Sequence, residues 1–159
     1  FSAEYAGAVV TANGLGGAST IGTMTGTNDT TGGSWRNAYN WLSSETTTQS
    51  YNVILRVQVP SDYSKWAAGA SFSLDSMVGN ATNASVDYTI KRASSGATLG
   101  SAVTGLTATS WTVVTQDLSA TALIPGEYVV VVFTLSSCAA TKRDCQGVKH
   151  YKQKGGFYL

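Results

Sequence analysis

In the stretch SVDYTIKR, Val86, Tyr88 and Ile90 alternate with Asp87, Thr89 and Lys91. A period of two is the signature of an antiparallel strand with one face buried and one face wet. YNVILRVQVP repeats the pattern, with Tyr51, Val53, Leu55, Val57 and Val59 on one face and Pro60 closing the run. SFSLDSMV turns Phe72 and Leu74 inward, while WTVVTQDL, from Trp111 to Leu118, alternates more weakly. EYVVVVFTL, from Glu127 to Leu135, is apolar at nearly every position and reads as a central strand buried on both faces. Small polar residues and glycines punctuate these runs at NGLGG (13–17), TGG (31–33), SSG (94–96) and PGE (125–127), all of which read as turns. No helical stripe is present beyond a single short turn expected over SDYSKWAAG, 61–69. The prediction is an all-β protein, an antiparallel two-sheet β-sandwich or jelly roll, formed as one domain over residues 1–159.

Composition sharpens this picture. Charged residues make up 12% of the 159-residue chain, about half the usual share, while β-branched and aromatic residues remain plentiful. Low charge here therefore means a hydroxyl-rich surface rather than disorder. The net charge of +1 conceals a basic C-terminal segment: Lys142, Arg143, Lys149, Lys152 and Lys154 lie in the last eighteen residues, with Asp144 the lone acid among them. A solvated edge strand is the simpler reading; a basic tail also suits nucleic acid, anionic lipid or an acidic neighbouring subunit. No matching basic stripe exists elsewhere, so no nucleic-acid partner is expected. No apolar run approaches the length of a membrane-spanning helix. The chain begins at Phe1, which fits removal of a signal segment and an extracellular or cell-surface location. Cys138 and Cys145, with six residues between them, are expected to form a local disulfide, and with one histidine, His150, a zinc site is not.

Catalytic chemistry finds little support. The nine acids are scattered over separate strands and loops, His150 has no obvious acid and serine around it, and no nucleophile elbow or phosphate loop occurs. No enzyme activity, cofactor or metal is expected. GTNDTTGG (26–33) contains calcium-compatible oxygens, but with one carboxylate it reads better as a turn. Three N-x-[ST] triplets mark Asn28, Asn80 and Asn83 as candidate glycosylation sites; Asn80 and Asn83 fall in VGNATNAS, an exposed loop between two strands. Trp35, Tyr39, Trp41 and Trp66 are candidate sugar-stacking rings, with core packing as the competing reading.

At EYAGAVV, GTMTG, YNW and YNVILRVQVPSDYSKW the first half of the chain resembles a β-sandwich domain of secreted surface and fibre proteins from small-celled bacteria of the candidate phyla radiation. In that pattern Gly-Thr-Met-Thr forms a turn before a Tyr-x-Trp strand. The resemblance implies a structural, non-catalytic role at the cell surface. The later strands match only in general pattern, and the tail CQGVKHYKQKGGFYL departs from it.

The expected function is therefore a structural subunit of an extracellular filament, pilus or surface fibre. Copies of the chain would join by β-strand addition through the N-terminal segment, about 1–14, and the basic tail, about 142–159. In the N-terminal segment Ala8, Val10 and Ala12 would face one way, and Val9 and Thr11 the other; pairing within its own sheet is the simpler alternative. The alternative functions are a monomeric carbohydrate-binding or adhesin module that recognises cell-surface glycans, and a viral fibre or decoration domain.

Overall fold

The computed structural model describes residues 8–12, 22–29, 36–66, 71–138 and 148–152, with side chains described for 22–25, 38–66 and 71–138. Ten strands follow in order: β1 (Ala8–Ala12), β2 (Gly22–Asp29), β3 (Arg36–Ser43), β4 (Gln49–Gln58), β5 (Phe72–Met77), β6 (Ala84–Arg92), β7 (Val103–Leu106), β8 (Thr112–Gln116), β9 (Tyr128–Ser137) and β10 (Val148–Lys152). They form two five-stranded sheets, β2-β3-β10-β5-β8 and β1-β4-β9-β6-β7, called here the first and second sheet. All pairings between neighbouring strands are antiparallel.

The topology follows from four nested pairs. β6 pairs with β7, β5 with β8, β4 with β9 and β3 with β10. Because the chain changes sheet at every connection from β3 onward except β6 to β7, this long double ribbon is rolled into two layers. That arrangement is a jelly roll, with β1 and β2 extending its two sheets by one strand each.

Alternation decides what lies between the layers. Val53, Leu55, Val57 and Val59 from the β4 run, Val86, Tyr88 and Ile90 from β6, and Val129, Val131, Phe133 and Leu135 from β9 are all buried. Phe72, Leu74 and Trp41 enter from the first sheet. The Tyr88 and Phe133 rings of adjacent strands lie 6.2 Å apart, and Phe72 meets Tyr88 at 5.1 Å across the interlayer. Such aromatic packing contributes beyond simple area burial, about 0.5–1.5 kcal/mol per pair.

Several expectations need correcting. GTMTG is not a turn: it opens β2, whose Met24 sits opposite Trp41 in the register. One half-buried Met between exposed Thr23 and Thr25 is a weak apolar signal, which hides the strand. The same strand contains Asn28 and Asp29, so the start of GTNDTTGG is paired strand and not the expected turn, while residues 30–33 lie outside the described residues. Tyr63 N–H donates to the Pro60 carbonyl at 3.1 Å in a tight turn, with no helix through Trp66.

The two terminal segments also differ from the expectation. β1 pairs with β4 of its own sheet, Ala8 opposite Leu55, Val9 opposite Ile54, Val10 opposite Val53 and Ala12 opposite Tyr51. The basic tail contributes β10, an interior strand between β3 and β5, with Lys149 opposite both Asn40 and Met77. Five residues containing two lysines and a histidine read as an edge or a tail, yet their backbone completes the ladder.

Candidate functional site

Trp41 is fully buried, and its indole N–H donates to the Gln49 carbonyl at 3.1 Å. Its ring lies 4.5 Å from that of Tyr51. Tyr39 shares the inward parity of Trp41 and packs against the core, where burial pushes its hydroxyl pKa up. Trp66 also packs on the core; it donates to the Thr121 carbonyl at 2.8 Å and meets Tyr63 edge-on at 6.0 Å. Burial, with Glu127 nearby, pushes the Tyr63 pKa up. These three rings therefore fill the sandwich and its end rather than forming a sugar platform, and Trp35 lies outside the described residues.

Asn80 and Asn83 lie in the loop joining β5 to β6, as the sequence implies. Asn80 Oδ1 accepts from Thr82 N–H at 2.8 Å, and the Asn83 carbonyl accepts from Cys138 N–H at 3.0 Å. Cys138, half-buried just after β9, is one half of the expected disulfide; Cys145 lies outside the described residues.

The outward counterpart of the core is the outer face of the second sheet, half-exposed along most of its length and exposed at Arg56, Gln58 and Tyr128. The same alternation that buries Val53, Leu55, Val131 and Phe133 turns their neighbours outward. Register then lines these residues up in rows across β4, β9 and β6: Ser50–Ser136–Ser85, Asn52–Thr134–Asp87, Ile54–Val132–Thr89 and Arg56–Val130–Lys91. Gln58 and Tyr128 finish the ladder at one end. From Tyr128 to Ser136 the face is about 27 Å long.

Its polar rows are held by the protein itself. Ser50 and Ser136 share a hydroxyl hydrogen bond of 2.9 Å. Thr134 Oγ1 donates to Asn52 Oδ1 at 2.9 Å, which orients the Asn52 amide nitrogen away from its neighbour. Among the described residues that nitrogen has no acceptor, and Asn52 is half-exposed on the outer side of β4. Asp87 Oδ1 accepts from Gly105 N–H at 2.7 Å, fixing the far end of the row to β7. Between the polar rows and the charged end lies a half-exposed apolar strip of Ile54, Val132 and Val130.

At the charged end the Arg56 guanidinium lies 3.9 Å over the Tyr128 ring, and Tyr128 is 38% exposed. The nearby acid Glu127 is occupied: it pairs with Arg92 at 3.0 Å and accepts from Ile124 N–H at 2.7 Å. Asp117 accepts from Ser119 N–H, and these hydrogen bonds lower its pKa. Each of these carboxylates serves local structure, and no group of three metal-ligating side chains exists among the described residues.

The sequence contained the rows of this face but not their significance. The EYVVVVFTL reading as a strand covered on both faces was half right: β9 is central, but Val130 and Val132 on its outer side are half-exposed. Asn52, Ile54 and Arg56 could have been found by taking the outward positions of YNVILRVQVP as seriously as the inward ones, and Tyr128 by doing the same in EYVVVVFTL.

No protein-family model matches the chain, and no curated protein matches it significantly. Among solved structures, the chain is similar to a family 11 carbohydrate-binding module from Clostridium thermocellum, solved in complex with a β-1,3-1,4-mixed-linked tetrasaccharide. The two share 12% identity at a TM-score of 0.42, over 92% of this chain and 89% of that one.

Proposed function

We propose that this protein is a non-catalytic glycan-binding module that works outside the cell and takes an extended sugar chain across the outer face of its second sheet. One observation carries the reading: outward donors and hydroxyls at Asn52, Ser50 and Thr134 flank an apolar strip that ends in the exposed Tyr128 ring. A sugar has the same two-sided chemistry, with hydroxyls around its rim and C–H groups on its faces. Rim hydroxyls suit the polar rows, and ring faces suit the valines and the aromatic. Carboxylates tied to Arg92 or to main-chain N–H groups support a binding role over hydrolysis.

The filament reading loses motivation, because β1 and β10, the described parts of the two segments offered for joining copies, are paired within one chain. The test is a glycan array read with the native chain and two variants. Val132→Glu, in the middle of the proposed face, abolishes binding; Val113→Glu, at the 55% exposed Val113 of the first sheet, leaves it intact. Equal binding by all three proteins would place the ligand elsewhere, and failure to bind any glycan would remove the proposal.

A further inference from the structure

Arg56 and Lys91 occupy the same outward row, on either side of Val130 of β9. Neighbouring strands are about 4.8 Å apart, so the two cations rise from backbones about 10 Å apart with one small side chain between them. Among the described residues neither cation has a carboxylate within ion-pair distance, unlike Arg92, which has Glu127. The Arg56 guanidinium also makes no hydrogen bond to a described side chain. Its face is instead set on the Tyr128 ring at 3.9 Å. Stacking of this kind engages the face of the planar group and leaves its N–H edge free to bond, and the Arg56 side chain is exposed. The acid on the same face, Asp87, is four residues from Lys91 along β6, about 13 Å away, and is tied to Gly105.

A pre-set guanidinium edge and an ammonium group across a small valine form a receptor for an anionic group, and the adjoining Tyr128 ring and Val130–Val132 strip suit the sugar ring that bears it. Resting on the glycan-binding reading above, we infer that the ligand is an acidic polysaccharide, with a uronate carboxylate bridged between Arg56 and Lys91. The polar rows from Asn52 to Ser50 then receive the neutral hydroxyls of neighbouring sugars.

The experiment is isothermal titration of the intact chain with an oligouronate and with a neutral β-glucan oligosaccharide of equal length. The oligouronate is expected to bind about tenfold tighter or better, an advantage that shrinks at high salt. Arg56→Gln and Lys91→Gln each lower oligouronate affinity by about tenfold, with neutral-glycan affinity changed much less by Lys91→Gln. Equal or tighter binding of the neutral chain would overturn the acidic specificity and leave the glycan-binding reading standing. Binding of neither sugar would overturn both. Single-stranded DNA binding as tightly as the oligouronate, with the same loss in both variants, would replace this ligand with polyanions in general.

Discussion

The Arg56 guanidinium and the Tyr128 ring, diagonal neighbours on β4 and β9, meet at 3.9 Å on the outer face of the second sheet. Because Tyr128 is 38% exposed, its ring is available to an outside ligand as well as to the Arg56 guanidinium. Tyr128→Ala is expected to change folding stability by less than about 1 kcal/mol, since surface substitutions rarely cost more. Glycan affinity should fall by about tenfold or more, the scale of a lost aromatic platform. Chemical denaturation paired with titration of the variant checks both halves; intact affinity would show that the ring takes no part.

Tyr88 couples the core to alkaline pH. It is 1% exposed, its hydroxyl has no hydrogen-bond partner among the described residues, and burial raises its pKa above the ordinary 10.0. A folded-state pKa raised above the unfolded one stabilises fully below the unfolded value and is lost as pH rises through the folded value. Tyr88→Phe should therefore leave the fold intact, gain about 1 kcal/mol by removing an unpaired buried hydroxyl, and reduce the loss of stability above pH 10. Urea melts at neutral and alkaline pH make the comparison. A clear destabilisation at neutral pH would mean that the hydroxyl has a partner.

Gly22 opens β2 against the edge of Trp41. A methyl group there would meet the Leu42 carbonyl oxygen, the Trp41 ring at 2.6 Å and the Ser43 backbone at 2.9 Å. Backbone cannot yield as a flexible side chain does, so Gly22→Ala should cost about 1–3 kcal/mol in urea unfolding and shift Trp41 fluorescence. A silent substitution would mean that the start of β2 lies further from β3.

Arg92 joins the end of β6 to the loop before β9. It pairs with Glu127 at 3.0 Å and donates to the Ala122 carbonyl at 2.7 Å, with the Glu127 side chain 10% exposed. Arg92→Ala strands a largely buried carboxylate, and a loss of about 2–4 kcal/mol is expected. The double variant with Glu127→Gln should recover part of that loss. Additive losses in a double-mutant cycle would show that the two side chains do not interact.

The sequence made the core strands legible because their inward residues are large and their alternation is regular. Val53 to Val59, Val86 to Ile90 and Phe72 to Leu74 all lie where a period of two puts them. β2 and β10 were hidden for opposite reasons: Thr and Gly leave too little apolar signal in one, and Lys149 and Lys152 suggest solvent in the other. Both are strands because neighbouring backbones offer ladders, a tertiary effect that local pattern does not record. The aromatic candidates failed by the same logic. Spacing correctly put Tyr39 and Trp41 on one face, but only the layer packing reveals that this face is the inner one. The outer rows arise from register between strands far apart in sequence, such as Asn52 with Thr134, which no single run of residues displays.

The most direct test of the account is a nuclear magnetic resonance titration of the isotope-labelled chain with an oligouronate, followed residue by residue through the backbone amides. The predicted shifts concentrate on β4, β9 and β6, centred on Asn52, Ile54, Arg56, Tyr128, Val130 and Lys91, with the first sheet unmoved. Shifts centred on β5 and β8 of the first sheet, or none at saturating ligand, would contradict it.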